Sequence, residues 1–192
     1  VNSFLYLGYN QGAVGNYSMS VGVLHTKATY IGLYGSGSFS QQGGIHTVEG
    51  ALSIGHGAAS IGEYSLSTTG SVTAQTAYIG YQGSGRLAQS GGTMAIESGL
   101  YLGYMEGADG HYELSGNGTL QAAREYVGIR GSGLISQSGG TNSTDYIRIG
   151  PGGRYEYTGG DLAIQRAIEA NGTFDVAHSE TTLRVPEGGY AN

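Results

Sequence analysis

Three observations on this 192-residue chain predict an all-β fold, a three-sided β-solenoid (parallel β-helix) of about eight coils. First, the segment Gly35-Ser36-Gly37-Ser38-Phe39-Ser40-Gln41-Gln42-Gly43-Gly44 recurs from Gly83 and again from Gly131, each start 48 residues after the last. Second, apolar residues alternate with polar ones at a period of two, the mark of half-buried strands, rather than at the 3.6 of a helix. Third, glycine occupies 38 positions, nearly three times ordinary usage, and much of it falls in register with the repeat. Collagen is excluded because only 2 prolines are present and no glycine triplet runs through the chain. Disorder is excluded by 16 tyrosines and a charged fraction of only 11%.

The first strand of each unit ends in an aliphatic residue followed by glycine: Gly8, Gly32, Gly55, Gly80, Gly103, Gly128 and Gly150, at steps of 24, 23, 25, 23, 25 and 22. The unit is therefore about 24 residues in two alternating flavours, which together make the 48-residue double repeat. Before the glycine stand Leu7, Ile31, Ile54, Ile79, Leu102, Val127 and Ile149, an inward column. One residue earlier stand Tyr6, Tyr30, Ser53, Tyr78, Tyr101, Tyr126 and Arg148, which alternation turns outward. The second strand follows a Gly-rich turn and carries Tyr17, Phe39, Tyr64, Leu87, Tyr112, Ile135 and Tyr155 in one inward column. Met19, Gln41, Leu66, Gln89, Leu114, Gln137 and Tyr157 follow in the next. The third strand carries Leu24, His46, Val72, Met94, Leu120, Asn142 and Leu162, then an inward position from Thr26 to Ile164. Three such short strands, with a turn at each of three corners, cannot bury a face alone, whereas stacked units share one continuous core. At the stacked corners glycine reaches positive φ without penalty and keeps identical turns from colliding.

Few positions offer chemistry. Glu49, Glu97 and Asp145 recur at 48 residues, which places them about 9.6 Å apart on alternate coils, too far for one metal ion to bridge. A solvated acidic stripe is expected. Gln41, Gln89 and Gln137 sit on an inward column, where a buried amide must find hydrogen bonds and so fixes the register between coils. His46 and Asn142 are expected as satisfied interior polar groups. His25, His56, His111 and His178 show no metal-ligand spacing. The outward tyrosines Tyr6, Tyr30, Tyr78, Tyr101 and Tyr126 form either a packed ladder between coils or a surface for glycans or for lateral filament contact. Asn-x-Ser/Thr triplets at Asn16, Asn117, Asn142 and Asn171 are within chance for so Ser/Thr-rich a chain. No carboxylate pair with a repeated arginine stands out, so neither an enzyme nor a cofactor is expected.

A net charge of -6 and 8 Lys plus Arg argue against a nucleic-acid partner. No apolar run approaches the length of a membrane span, so no membrane insertion is expected. The absence of cysteine removes disulfide and thiolate chemistry.

The strings Tyr78-Ile79-Gly80, Gly83-Ser84-Gly85 and Gln89-Ser90-Gly91-Gly92, with Leu5-Tyr6-Leu7-Gly8-Tyr9, resemble the Gly/Ser/Thr-rich repeats of large bacterial cell-surface proteins. These include autotransporter-passenger-like and planctomycete-type surface arrays. The resemblance spans residues 4–164 and implies an extracellular or cell-surface structural or adhesive module with no activity attached.

The pattern divides the chain into a solenoid at 1–176 and a C-terminal strand and tail at 177–192, either a cap or an inter-subunit strand. Val1 enters the first strand without a polar cap, and open solenoid ends are templates for another chain. The expectation is a self-assembling subunit of a filament or sheath, stacked head to tail, with contacts from Phe4, Leu5, Leu7, Phe174, Val176, Leu183 and Val185. The alternative is an adhesive or spacer fragment of a larger bacterial surface protein, and a carbohydrate-active enzyme stands third.

Overall fold

The structure, a computed structural model, describes residues 3–177 and 182–184, the last three by their backbone. Chain order runs β1 (Ser3–Leu7), β2 (Val14–Met19), β3 (Val23–Ile31), β4 (Ser36–Gln41), β5 (Ile45–Ile54), β6 (Ile61–Leu66), β7 (Ser71–Ile79) and β8 (Ser84–Gln89). It continues through β9 (Thr93–Leu102), β10 (Asp109–Leu114), β11 (Thr119–Val127), β12 (Ser132–Ile149), β13 (Gly153–Ala170), β14 (Thr173–Val176) and β15 (Thr182–Arg184). No helix occurs among the described residues.

Every ladder is parallel, and the strands stack in two files: β1-β3-β5-β7-β9-β11 and β2-β4-β6-β8-β10, joined through the long β12. The result is a β-solenoid of about eight turns with coils about 23 residues apart. The third strand of each coil runs on into the first strand of the next without a turn. The corner between them is a bend, seen as a register shift between Thr26 and Thr29, between Val48 and Ala51, and between Ala74 and Thr76. The sequence places a turn at each of three corners; the structure replaces one with a bulge. A bulge bends a strand and leaves its ladder otherwise paired, so it needs no Gly-rich loop.

The inward columns close into one core. Ile31, Leu52, Ile54, Leu66, Ile79 and Leu87 are fully buried, and Tyr64, Tyr112 and Tyr155 lie deep in the bore. The closing glycines justify their repetition at Gly80, where φ is +72° and an added Cβ would lie 2.1 Å from the carbonyl oxygen of Asp109 on the next coil. Backbone from two coils meets there with no room for a side chain.

The segment Thr182–Arg184 pairs in parallel with β13 of its own chain, Leu183 opposite Leu162, as the third strand of the last coil. Val185 and His178 lie outside the described residues.

Candidate functional site

Three features of the solenoid carry chemistry or contact: a hydrogen-bonded chain inside the bore, two aromatic files outside it, and the exposed first coil.

Inside, each glutamine does the same work. Gln89 Nε2 donates to the carbonyl oxygens of Gly92 and Thr119, both at 3.0 Å, while the Tyr112 hydroxyl one coil on donates to Gln89 Oε1. Gln41 takes the hydroxyl of Tyr64 at 2.5 Å and donates to Gly44 and Ser71. Gln137 takes that of Tyr155 at 2.7 Å and donates to Asp161. A tyrosine of one coil thus locks onto a glutamine of the coil before it, which explains why the double repeat, and not the single unit, is the sequence period.

The third-strand residues opposite these tyrosines are matched to them. His46 Nδ1 lies 3.2 Å from the Tyr64 hydroxyl, and Asn142 Nδ2 donates to Tyr155 at 2.9 Å, while Met94 offers Tyr112 a sulfur at 3.7 Å. The first-strand residue of the same coil completes each set. Thr29 Oγ1 meets His46 Nε2 at 3.1 Å in coil two (29–48), and the same two positions are held by Ala77 and Met94 in coil four (76–96) and by Glu125 and Asn142 in coil six (125–144). Burial lowers the pKa of His46 to about 4, so the ring is neutral. Since the Tyr64 proton goes to Gln41, His46 must donate from Nδ1 and accept the Thr29 hydroxyl at Nε2.

Glu125 was not singled out by sequence, though it falls in the inward column Leu5, Thr29, Leu52, Ala77, Leu100, Glu125, Ile147, two residues before the aliphatic one. Its side chain is 0% exposed, with Leu100 and Ile147 as its register neighbours. Burial raises its pKa to about 7, opposed by the nearby Asn142 amide. No well-formed hydrogen bond reaches either carboxyl oxygen or Asn142 Oδ1.

Outside, Tyr6 stacks on Tyr30 (5.4 Å between ring centres), Tyr78 on Tyr101 (5.2 Å) and Tyr101 on Tyr126 (4.7 Å). Ser53 interrupts this file. A second file, not anticipated, follows the closing glycines: His56 stacks on Tyr81 at 4.7 Å and Tyr81 on Tyr104 at 5.2 Å. Edge contacts such as Tyr78 with Tyr81 zip the two files together. Because ring faces cover one another, the files offer edges and hydroxyls outward.

The first coil is unlike the others. Phe4 (53% exposed), Val14 (72%), Val21 (80%) and Val23 (74%) are apolar side chains in water, joined by Tyr6, Tyr9 and Tyr17. β1 pairs only with β3 and β2 only with β4, so both strands keep a free edge among the described residues. Of the expected contact residues, Phe4 is exposed, Leu5 half-buried and Leu7 buried against the core. At the other end Phe174 is half-buried and Val176 is 48% exposed. Val14 and Val23 were missed. Their columns also carry Ile61 and Ile45 among the polar residues, so an apolar residue there did not mark the end of the solenoid.

Glu49 and Glu97 are exposed and Asp145 half-buried; Glu49 meets His25 at 2.7 Å and Asp145 meets Arg166 at 3.9 Å. Among the described residues no three His, Asp or Glu side chains gather to hold a metal ion, and no helix is long and apolar enough to cross a membrane. Asn142 is buried, which removes its triplet from glycosylation of the folded chain, whereas Asn16, Asn117 and Asn171 are exposed. No protein-family model matches this chain, and no curated protein or solved structure matches it.

Proposed function

We propose that this protein is an extracellular structural protein, a subunit that stacks head to tail through its solenoid ends into a filament or sheath. The observation that supports it is the first coil: apolar side chains and unpaired strand edges face water together, and another coil laid on them would pair the edges and cover part of the apolar surface. Ile61 and Ile45 hold the positions of Val14 and Val23 with coils on both sides and stay 51% and 47% exposed, so stacking contributes only a fraction of the about 1.5–3 kcal/mol of full burial at these valines, and pairing of the free strand edges adds to it. A head-to-tail contact uses two different surfaces and does not close on itself, so it propagates. The partner is a second copy of the chain. A surface glycan, as a further partner, would meet ring edges and hydroxyls rather than ring faces.

Sedimentation and electron microscopy over a concentration series test this. Rods longer than one chain are expected, and Val14→Lys/Val23→Lys should leave a folded monomer that no longer elongates. A wild-type chain that stays monomeric at high concentration sinks the proposal. In that case an adhesive or spacer role within a larger surface protein, with the first coil seated on a neighbouring coil of the same chain, becomes the better reading; the mass of the native protein separates the two.

A further inference from the structure

We propose that Glu125 is a proton-binding site inside the bore: in the folded solenoid it is a neutral carboxylic acid, beside the Asn142 amide from which a one-way hydrogen-bond chain runs through Tyr155 to Gln137. The direction follows from the far end. Gln137 Nε2 donates to the Asp161 carbonyl, which leaves Gln137 Oε1 to accept the Tyr155 hydroxyl. The Tyr155 oxygen then accepts from Asn142 Nδ2. Asn142 Oδ1 therefore needs a donor, and so does the carboxyl group that shares its coil; three acceptor oxygens stand without one. A proton on Glu125 removes the buried charge and turns one of its oxygens into a donor, whereas an anion would stand in the low-dielectric interior with no cation among the described residues to balance it.

The repeat supplies an independent check. The positions equivalent to Glu125 and Asn142 in coil two are Thr29 and His46, joined at 3.1 Å, and there the first-strand residue is the donor. In coil four both positions are apolar, Ala77 and Met94. The two positions thus change character together, both polar in coils two and six and both apolar in coil four.

The titratable groups facing Glu125 are the phenols of Tyr112 on β10 and Tyr155 on β13, both held protonated by burial. Its own-strand neighbour Arg124 lies on the opposite, exposed face. No cation balances a carboxylate here among the described residues, and burial raises the pKa of Glu125 from 4.5 to about 7. A folded-state pKa above the unfolded one means that the native state binds the extra proton. Stability linked to this site is then fully present below about pH 4.5, falls as pH rises, and is lost by about pH 7.

Two measurements test the site. At pH 6 exposed carboxyl groups are ionised, so the infrared carbonyl band of a protonated acid should be present in the wild type and absent in Glu125→Gln. The amide of that variant supplies the same donor without titrating. The folded-to-unfolded ratio of wild type relative to Glu125→Gln should fall by up to tenfold per pH unit between about pH 4.5 and 7, roughly 300-fold in all. The difference between the two proteins is the quantity to read, because His46 titrates with opposite sign over an overlapping range. Glu125→Ala/Asn142→Met, which installs the coil-four pair, should also fold and show neither the band nor the pH-dependent difference. An absent wild-type band, a band that survives in both variants, or parallel pH curves would each overturn the proposal.

Discussion

Replacing Gln89 by leucine tests the interior lock, because a second substitution, at its partner Tyr112, should restore part of the loss. Gln89 is 1% exposed and lies between Leu66 and Leu114 in its column, so leucine suits the packing. The substitution removes two amide hydrogen bonds, to Gly92 and Thr119, each worth about 0.5–1.5 kcal/mol. It also strands the Tyr112 hydroxyl, fully buried, with only the Met94 sulfur at 3.7 Å to receive it. A buried orphan costs about 1–3 kcal/mol, so the total is about 4 kcal/mol with a range of about 2–6. Adding Tyr112→Phe removes the orphan along with its partner. Gln89→Leu/Tyr112→Phe should therefore be more stable than Gln89→Leu alone by about 1–3 kcal/mol, although it carries one more substitution. Equilibrium urea denaturation at fixed pH reads the difference, and amide exchange in β8, β9 and β10 shows whether the loss stays local, as nearest-neighbour coupling in a solenoid predicts. A double variant no more stable than the single one would refute the lock.

Two further outcomes are expected. Gly80→Ala should cost about 4 kcal/mol or more, since its Cβ would meet the Asp109 carbonyl oxygen at 2.1 Å, whereas Gly107→Ala, at a similar φ of +78° but with nothing within 4 Å, should cost only about 1–2 kcal/mol of backbone strain; thermal denaturation of the two variants side by side checks the contrast. His46, whose pKa burial lowers from 6.5 to about 4, binds a proton more readily when unfolded, so its share of stability is present above about pH 6.5 and lost as pH falls through 4, about 3 kcal/mol in all. Comparing the acid limb of the stability curve with that of His46→Met, the residue coil four uses, should show the slope disappear, and an unchanged limb would place the titration elsewhere.

Much of this molecule was legible because each coil sits on a near copy of itself. Stacking at one strand spacing forces equivalent residues into shared environments, so the column from Leu7 to Ile149 and the closing glycines read directly as inside and corner. The buried glutamines were legible for the same reason: an amide in an otherwise aliphatic column has to be hydrogen-bonded. The second aromatic file was also within reach, since His56, Tyr81 and Tyr104 each follow a closing glycine. The bend between third and first strands was not, because a bulge needs no turn residue and leaves no composition mark.

Glu125 marks the boundary. Alternation alone places it inward, two residues before Val127, but a column records only what lies above and below a residue, along the solenoid axis. Whether a buried group is satisfied depends on what reaches it across the bore from the other two walls. Asn142 and Tyr155 stand 17 and 30 residues further along the chain and arrive by the closing of the coil. The solenoid, its period and its core can be read from the chain alone, because they follow from local alternation repeated at a fixed interval. Which polar side chains meet in the interior, which of them lack a donor, and that exposed apolar surface gathers on the first coil emerge with the folded coils, because hydrogen bonds and accessibility are set by distances between walls that no one-dimensional repeat encodes.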